Sequence, residues 1–188
     1  MLVRSMLRKD QILTLPNLLS LVRLLLIPCF VCFYRHGAFC EAVIVLILSG
    51  LTDIADGFLA RTWNMVSDFG KILDPVADKL TQVTMILFLA ERYPRMWQVV
   101  AIFAVKLLTM GFLGAVVIKL CKVVNSAKWY GKMNTVILYV GMMVLILFPE
   151  MSWEAADCLI VICECSMIVT LILYVVFYLQ LLCKGKKG

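Results

Sequence analysis

Charge is scarce in this chain: 16% of its 188 residues are Asp, Glu, Lys or Arg, where a soluble domain carries about 25%. Hydrophobic residues make up 63% and mean hydropathy is +0.99. A soluble domain of this length cannot hide so much apolar surface, so that class is excluded and an integral membrane protein is expected. Histidine is nearly absent. The one copy, His36, stands in a short outer loop with no chemical role assigned to it. Internal repeats and low-complexity tracts are missing, as is any inverted pair of broken helices. No cleavable secretory signal is expected: residues 1–11 are charged, and the apolar run after them is too long and lacks a small-residue cleavage site.

Cysteine is present but scattered. Of the eight, Cys29 and Cys32 form a C-x-x-C pair inside an apolar run without further ligands, which reads as small packing residues rather than a redox or zinc motif. The eleven methionines, with Trp97, Trp129 and Trp153 near segment ends, read as packing and interface anchors. Trp63 reads as an anchor of its loop at the headgroups.

Hydrophobicity predicts an all-α integral membrane protein with six transmembrane helices near 15–34, 40–61, 75–91, 97–118, 133–149 and 156–182. Residues 1–13 alternate apolar and basic positions at helical spacing, the pattern of a short amphipathic helix on an anionic membrane surface. The expected organisation is therefore that helix, a membrane domain over 14–183, and a basic tail over 184–188. The net charge of +6 does not imply nucleic acid, because the cations gather in alternate loops and at the termini. Arg4, Arg8, Lys9, Arg61, Lys71, Lys79, Lys119, Lys122, Lys128, Lys132, Lys184, Lys186 and Lys187 fall on one side. Only Arg35, Arg92 and Arg95 fall on the other, beside Glu41, Glu91, Glu150, Glu154 and Asp157. The positive-inside rule puts both termini at the cytoplasmic face. Arg23 and Lys106 interrupt hydrophobic segments. Arg23 lies about two turns inside the first, so it needs an anionic partner in the bundle or a bound anion.

The chain is organised around Asp53 to Asp78. Asp53 and Asp56 end the second segment; Asp74 and Asp78 open the third, with Asp74-Pro75 expected as its first turn. Spacings of three and four place each pair on one helix face. Residues Thr62 to Leu73 are expected to form the connection that folds the two helix ends together. An all-oxygen set without His or Cys suits Mg²⁺, Mn²⁺ or Ca²⁺ rather than zinc. Four carboxylates suffice for two metals about 3.5–4 Å apart, the arrangement that clamps phosphoryl transfer. Gly57 and Gly70 permit close approach of a ligand or helix, and Arg61 can fork onto phosphate oxygens.

The residues match D-x2-D-G-x2-A-R-x8-G-x3-D-x3-D at Asp53, Asp56, Gly57, Ala60, Arg61, Gly70, Asp74 and Asp78. In this the chain resembles the CDP-alcohol phosphotransferases, membrane enzymes of phospholipid synthesis, and the likeness in topology covers essentially its whole length. The resemblance implies two Mg²⁺ per site, with Mn²⁺ as the alternative. Asp53 and Asp74 would bridge both ions, Asp56 would bind the first and Asp78 the second. Asp78 would also be the general base. Gly57, Arg61, Ser67 and Gly70 would contact the CDP moiety. A homodimer is implied by resemblance alone.

The run from Leu13 to Pro28, through Pro16, Asn17, Ser20 and Arg23, looks like the phosphatidylglycerophosphate synthase branch, as does Gly131-Lys132 with Thr135. That likeness implies CDP-diacylglycerol and glycerol 3-phosphate as substrates, in the cell membrane and with the site cytoplasmic. Pro16, Asn17, Leu18 and Leu19 would help hold the nucleotide lipid; Arg23, Lys106, Lys128 and Lys132 would hold the acceptor phosphate. For Lys128, a purely topological role is the competing reading. Leu107 departs from the branch, which often has an acid there, and a lost carboxylate changes what the acceptor pocket can hydrogen-bond. A CDP-diacylglycerol-dependent cardiolipin synthase, with phosphatidylglycerol as acceptor, is the rival within the family. A cation transporter using intramembrane acids is the rival outside it. Against the transporter, these acids cluster at one interface and bracket a Gly/Arg pair suited to phosphate.

Overall fold

The computed structural model describes residues 15–62, 70–121 and 128–185; within these, the side chains of 15–17, 54, 56–62, 70–72, 120, 121, 184 and 185 fall outside the description. The N-terminal amphipathic segment, Trp63 and the final residues of the tail also lie outside it. The described residues form six α-helices and no strand: α1 Leu15–Arg35, α2 Phe39–Thr62, α3 Gly70–Arg92, α4 Met96–Cys121, α5 Trp129–Leu147 and α6 Trp153–Gly185. Among the described residues four stretches are long and apolar enough to cross a membrane: Leu18–Arg35, Met96–Lys119, Trp129–Leu147 and Trp153–Cys183. The protein is an all-α, multi-pass integral membrane protein. The long α2 and α3 carry more charge, including the acids of interest.

Two element boundaries differ from the sequence reading. Helix α3 begins at Gly70, so Pro75 lies inside it rather than in its first turn. A proline there forfeits only the one bond that would reach back to the Lys71 carbonyl, and Lys71, Ile72 and Leu73 are tolerable helix formers. The connection therefore shrinks to residues 63–69, and Lys71 and Lys79 belong to a helix, not a loop. Helix α5 begins at Trp129, earlier than hydrophobicity alone suggests. Lys128 is extended at φ −76°, ψ 154°, and its N–H donates to Tyr174 Oη at 3.3 Å, which sets the helix start.

The chain divides into two compact units, residues 1–85 and 86–188. In the first, α1 packs along α2 through Phe30, Ala42, Val43, Val45 and Leu46, all buried. Thr81 and Thr84 of α3 join Leu26, Ile27, Phe30, Val45, Leu46 and Ser49 around one small cavity. In the second, α4 and α5 both pack on α6. Close approach is made possible by glycine: a Cβ at Gly131 would run into the Tyr174 phenol, and one at Gly141 would fall 2.7 Å from Cys163 Sγ. Ser166 Oγ donates to Asn134 Oδ1 at 2.9 Å across the α5–α6 contact, the kind of interhelical bond that helps join helices where lipid offers no hydrophobic drive.

Large apolar side chains such as Leu25, Leu108, Phe112 and Val169 point outward, as acyl chains require. Trp97, Trp129 and Trp153 are exposed at helix ends, as interface anchors are. The described cysteines are free, Cys29 and Cys32 included. His36 has a local contact: its Nδ1 lies 2.8 Å from the Cys32 carbonyl, which also accepts the His36 backbone N–H at 3.1 Å.

Candidate active site

Helix α1 is the backstop of the acid cluster. Arg23 is 1% exposed, and its Nη1 lies 2.6 Å from Asp53 Oδ1 on α2. One turn earlier, the fully buried Ser20 hydroxyl donates to Asp74 Oδ1 on α3. Residues three apart on a helix have Cβ atoms about 5–6 Å apart, so one patch of α1 draws a carboxylate from each acid-bearing helix toward it. Asp53 is thus one anionic partner of the kind that Arg23 requires inside an apolar helix. Burying a lone guanidinium at a helix centre costs about 2.5–3.5 kcal/mol on insertion scales, and the carboxylate offsets that cost.

Asp78 has its own surroundings, one helical turn beyond Asp74. The Gln82 amide donates to Asp78 Oδ2 at 3.2 Å and lies 3.4 Å from Oδ1. Lys79 Nζ sits 3.7 Å from Asp78 Oδ2 and donates to Gln82 Oε1 at 3.0 Å. Gln82 is buried, so the amide fixes the orientation of a carboxylate that is itself 27% exposed. Neither Gln82 nor the role of Lys79 was legible in the motif, although a Gln four residues after an Asp in apolar sequence is a recognisable helix pair. Ser20 carried family likeness without an assigned role; its partner emerges only from packing.

Asp56, Gly57 and Arg61 are placed by the α2 backbone, Gly70 by the start of α3, and Pro16 and Asn17 by α1; their side chains lie outside the described set, and Ser67 lies outside the described residues altogether. Leu18 is exposed and Leu19 half-buried on α1. Among the described residues no three His, Cys, Asp or Glu side chains gather as a metal group, a set that does not contain the Asp56 side chain. The donors present nonetheless fit a hard divalent cation. Asp53, Asp74 and Asp78 offer only oxygen, two of them meet the same patch of α1, and Asp53 is 54% exposed and open to an arriving ion.

The lysines singled out for an acceptor phosphate belong to the second unit. Lys106 is half-buried in α4, and Lys132 is exposed on the first turn of α5. Lys128 is engaged: its Nζ lies 4.4 Å from the Phe177 ring centroid, a cation–π contact with α6. Arg92 and Arg95 meet acids and a carbonyl, with Arg95 3.8 Å from Asp157 and 3.7 Å from Glu164, and Arg92 donating to the Pro149 carbonyl.

The chain is similar to several known proteins. A protein of Blochmanniella floridana named CDP-diacylglycerol–glycerol-3-phosphate 3-phosphatidyltransferase is 31% identical over 97 residues, 50% of this chain and 51% of its own. One of the same name from Salmonella typhi is 44% identical over 86 residues, 44% of this chain and 47% of its own. A cardiolipin synthase (CMP-forming) of Streptomyces coelicolor is 44% identical over 77 residues, 38% of this chain and 36% of its own. The chain thus matches about half the length of these curated relatives, or less. The family description "CDP-alcohol phosphatidyltransferase" matches far more, residues 13–181. That match takes in α1 with its Ser20 and Arg23, both acid-bearing helices and the second unit almost to its end, and on that ground the chain belongs to the CDP-alcohol phosphatidyltransferase family.

Proposed function

We propose that this protein transfers the phosphatidyl group of CDP-diacylglycerol to glycerol 3-phosphate, releasing CMP and phosphatidylglycerophosphate, as a CDP-diacylglycerol–glycerol-3-phosphate 3-phosphatidyltransferase. The observation that carries the reading is the meeting of Asp53 and Asp74 on neighbouring positions of α1, in a chain of this family. Relatives of that name add support for the acceptor.

Asp53, Asp56, Asp74 and Asp78 would hold two divalent ions, Mg²⁺ or Mn²⁺, which when bound supply positive charge against the negative charge growing on the CMP leaving group. Asp78, oriented by Gln82, accepts the proton of the acceptor hydroxyl as its oxygen attacks the phosphatidyl phosphorus. The bond from that phosphorus to the CMP oxygen breaks as the new ester bond forms. Gly57, Arg61, Ser67 and Gly70 receive the CDP moiety, and Pro16, Asn17, Leu18 and Leu19 the adjoining lipid. Lys106, Lys128 and Lys132 would offer cations to the acceptor phosphate; Arg23, the fourth cation expected there, is instead buried against Asp53. Six helices cross the cell membrane with both termini and the active site cytoplasmic, in keeping with the cation distribution, and the protein is a homodimer.

Purified protein supplied with CDP-diacylglycerol, Mg²⁺ and competing acceptors tests the proposal by CMP release and product identity. Glycerol 3-phosphate should be preferred. Preference for phosphatidylglycerol would favour cardiolipin synthesis, the reading that the Streptomyces relative and Leu107 keep in view. Cation flux through liposomes without CMP release with any alcohol would replace the enzyme by a transporter.

A further inference from the structure

The Arg23–Asp53 pair is asymmetric. The guanidinium is packed at 1% exposure while the carboxylate is 54% exposed, with 2.6 Å between them. One partner is held in the interior; the other faces outward, within reach of an ion from solution. A guanidinium keeps its charge at every physiological pH, so α1 places a permanent positive charge against a stretch holding Asp53, Asp56, Asp74 and Asp78. Ser20, the second α1 side chain at this patch, holds Asp74 through an uncharged hydroxyl. Of the two contacts, only Arg23 changes the electrostatics of the cluster.

We propose that Arg23 is the built-in counter-cation of the acid cluster: it holds Asp53 when no divalent ion is bound, and it competes with such an ion for that carboxylate. This rests on Asp53 being a metal ligand. Arg23 is then a positioning residue with two opposed effects. It keeps the metal-free site from flying apart through like-charge repulsion, and it weakens metal binding, since an arriving ion meets a carboxylate already paired and a positive charge close by. The same residue that supports the empty site sets the metal concentration at which it fills.

The test uses the full chain in detergent micelles with Mn²⁺ alone as probe, free Mn²⁺ being read by electron paramagnetic resonance, and thermal unfolding measured with and without it. Arg23→Gln should unfold at a lower temperature than wild type without metal, regain more stability than wild type on adding Mn²⁺, and bind Mn²⁺ more tightly, by roughly the 5–150-fold range usual for coupled sites. Arg23→Lys, which retains the charge, should keep the wild-type affinity. Arg23→Gln that binds Mn²⁺ as wild type does, or more weakly, overturns the competition while leaving the metal site intact. Wild type that binds no Mn²⁺ at millimolar concentration overturns the metal reading and this inference with it. Should Arg23→Gln not fold, the double variant Arg23→Gln/Asp53→Asn decides. Recovery of folding supports a charge needed only for its partner, and failure to recover overturns the proposal.

Discussion

Arg23 and Asp53 meet at 2.6 Å from opposite environments, the arginine enclosed by helix packing and the aspartate half open. The pair joins α1 to α2 where the motif begins. Asp53→Asn would take this carboxylate away from a buried guanidinium. Breaking a buried ion pair on one side costs about 3–5 kcal/mol, and the exposure of Asp53 reduces that to about 2–3 kcal/mol. Thermal unfolding of the metal-free protein should register the loss, and turnover should vanish if Asp53 holds metal as proposed.

Ser20→Ala removes the hydroxyl that Asp74 accepts from. The expected stability loss is small, about 1 kcal/mol. Metal affinity or activity should fall by about 10–100-fold, the usual cost of losing a group that orients a ligand. Mn²⁺ titration of the variant measures this directly; an unchanged affinity would show that the hydroxyl has no orienting role.

Gln82→Leu keeps the size of a buried side chain but removes the amide that donates to Asp78. The variant should fold, lower kcat by about tenfold or more and leave the KM for CDP-diacylglycerol unchanged. A matching rise in KM would place the effect in substrate binding instead.

Asp78→Asn should abolish CMP release while CDP-diacylglycerol still binds, because an amide takes no proton from the acceptor hydroxyl. Chelation with EDTA should also stop turnover, with recovery on adding Mg²⁺ to wild type but not to the variant. Retained activity in Asp78→Asn would remove it as the base.

Gly131→Ala brings a Cβ into the Tyr174 phenol. Overpacking of this kind costs about 1–3 kcal/mol, and thermal unfolding should show it. Adding Tyr174→Phe removes the nearest atom of the clash and should recover part of the loss, although it also takes the acceptor of the Lys128 N–H.

Helix identity was easy to read because in a membrane the backbone has to satisfy itself, and long apolar runs have few other ways to do so. The start of α3 was misread because Asp74-Pro75 is a good helix opening taken alone; the four residues before it extend the helix at the cost of one hydrogen bond. The start of α5 depended on Tyr174, 46 residues away from Lys128, which no local signal announces. The motif acids were singled out from residue type and spacing. Gln82 was not singled out, because a lone amide in an apolar helix carries no motif, and Lys79 was counted with the loop cations although it sits beside Asp78.

The four acids at helical spacing and their oxygen-only chemistry were read from the sequence alone, because residue type and period are set before any packing occurs. Only the tertiary structure decided which group answers which acid. Ser20 and Arg23 are far from Asp74 and Asp53 in the chain, and they become partners because the packing of α1 leaves a hydroxyl and a guanidinium buried one turn apart. Buried polar groups need partners, and the acids of α2 and α3 are the ones the fold brings to them.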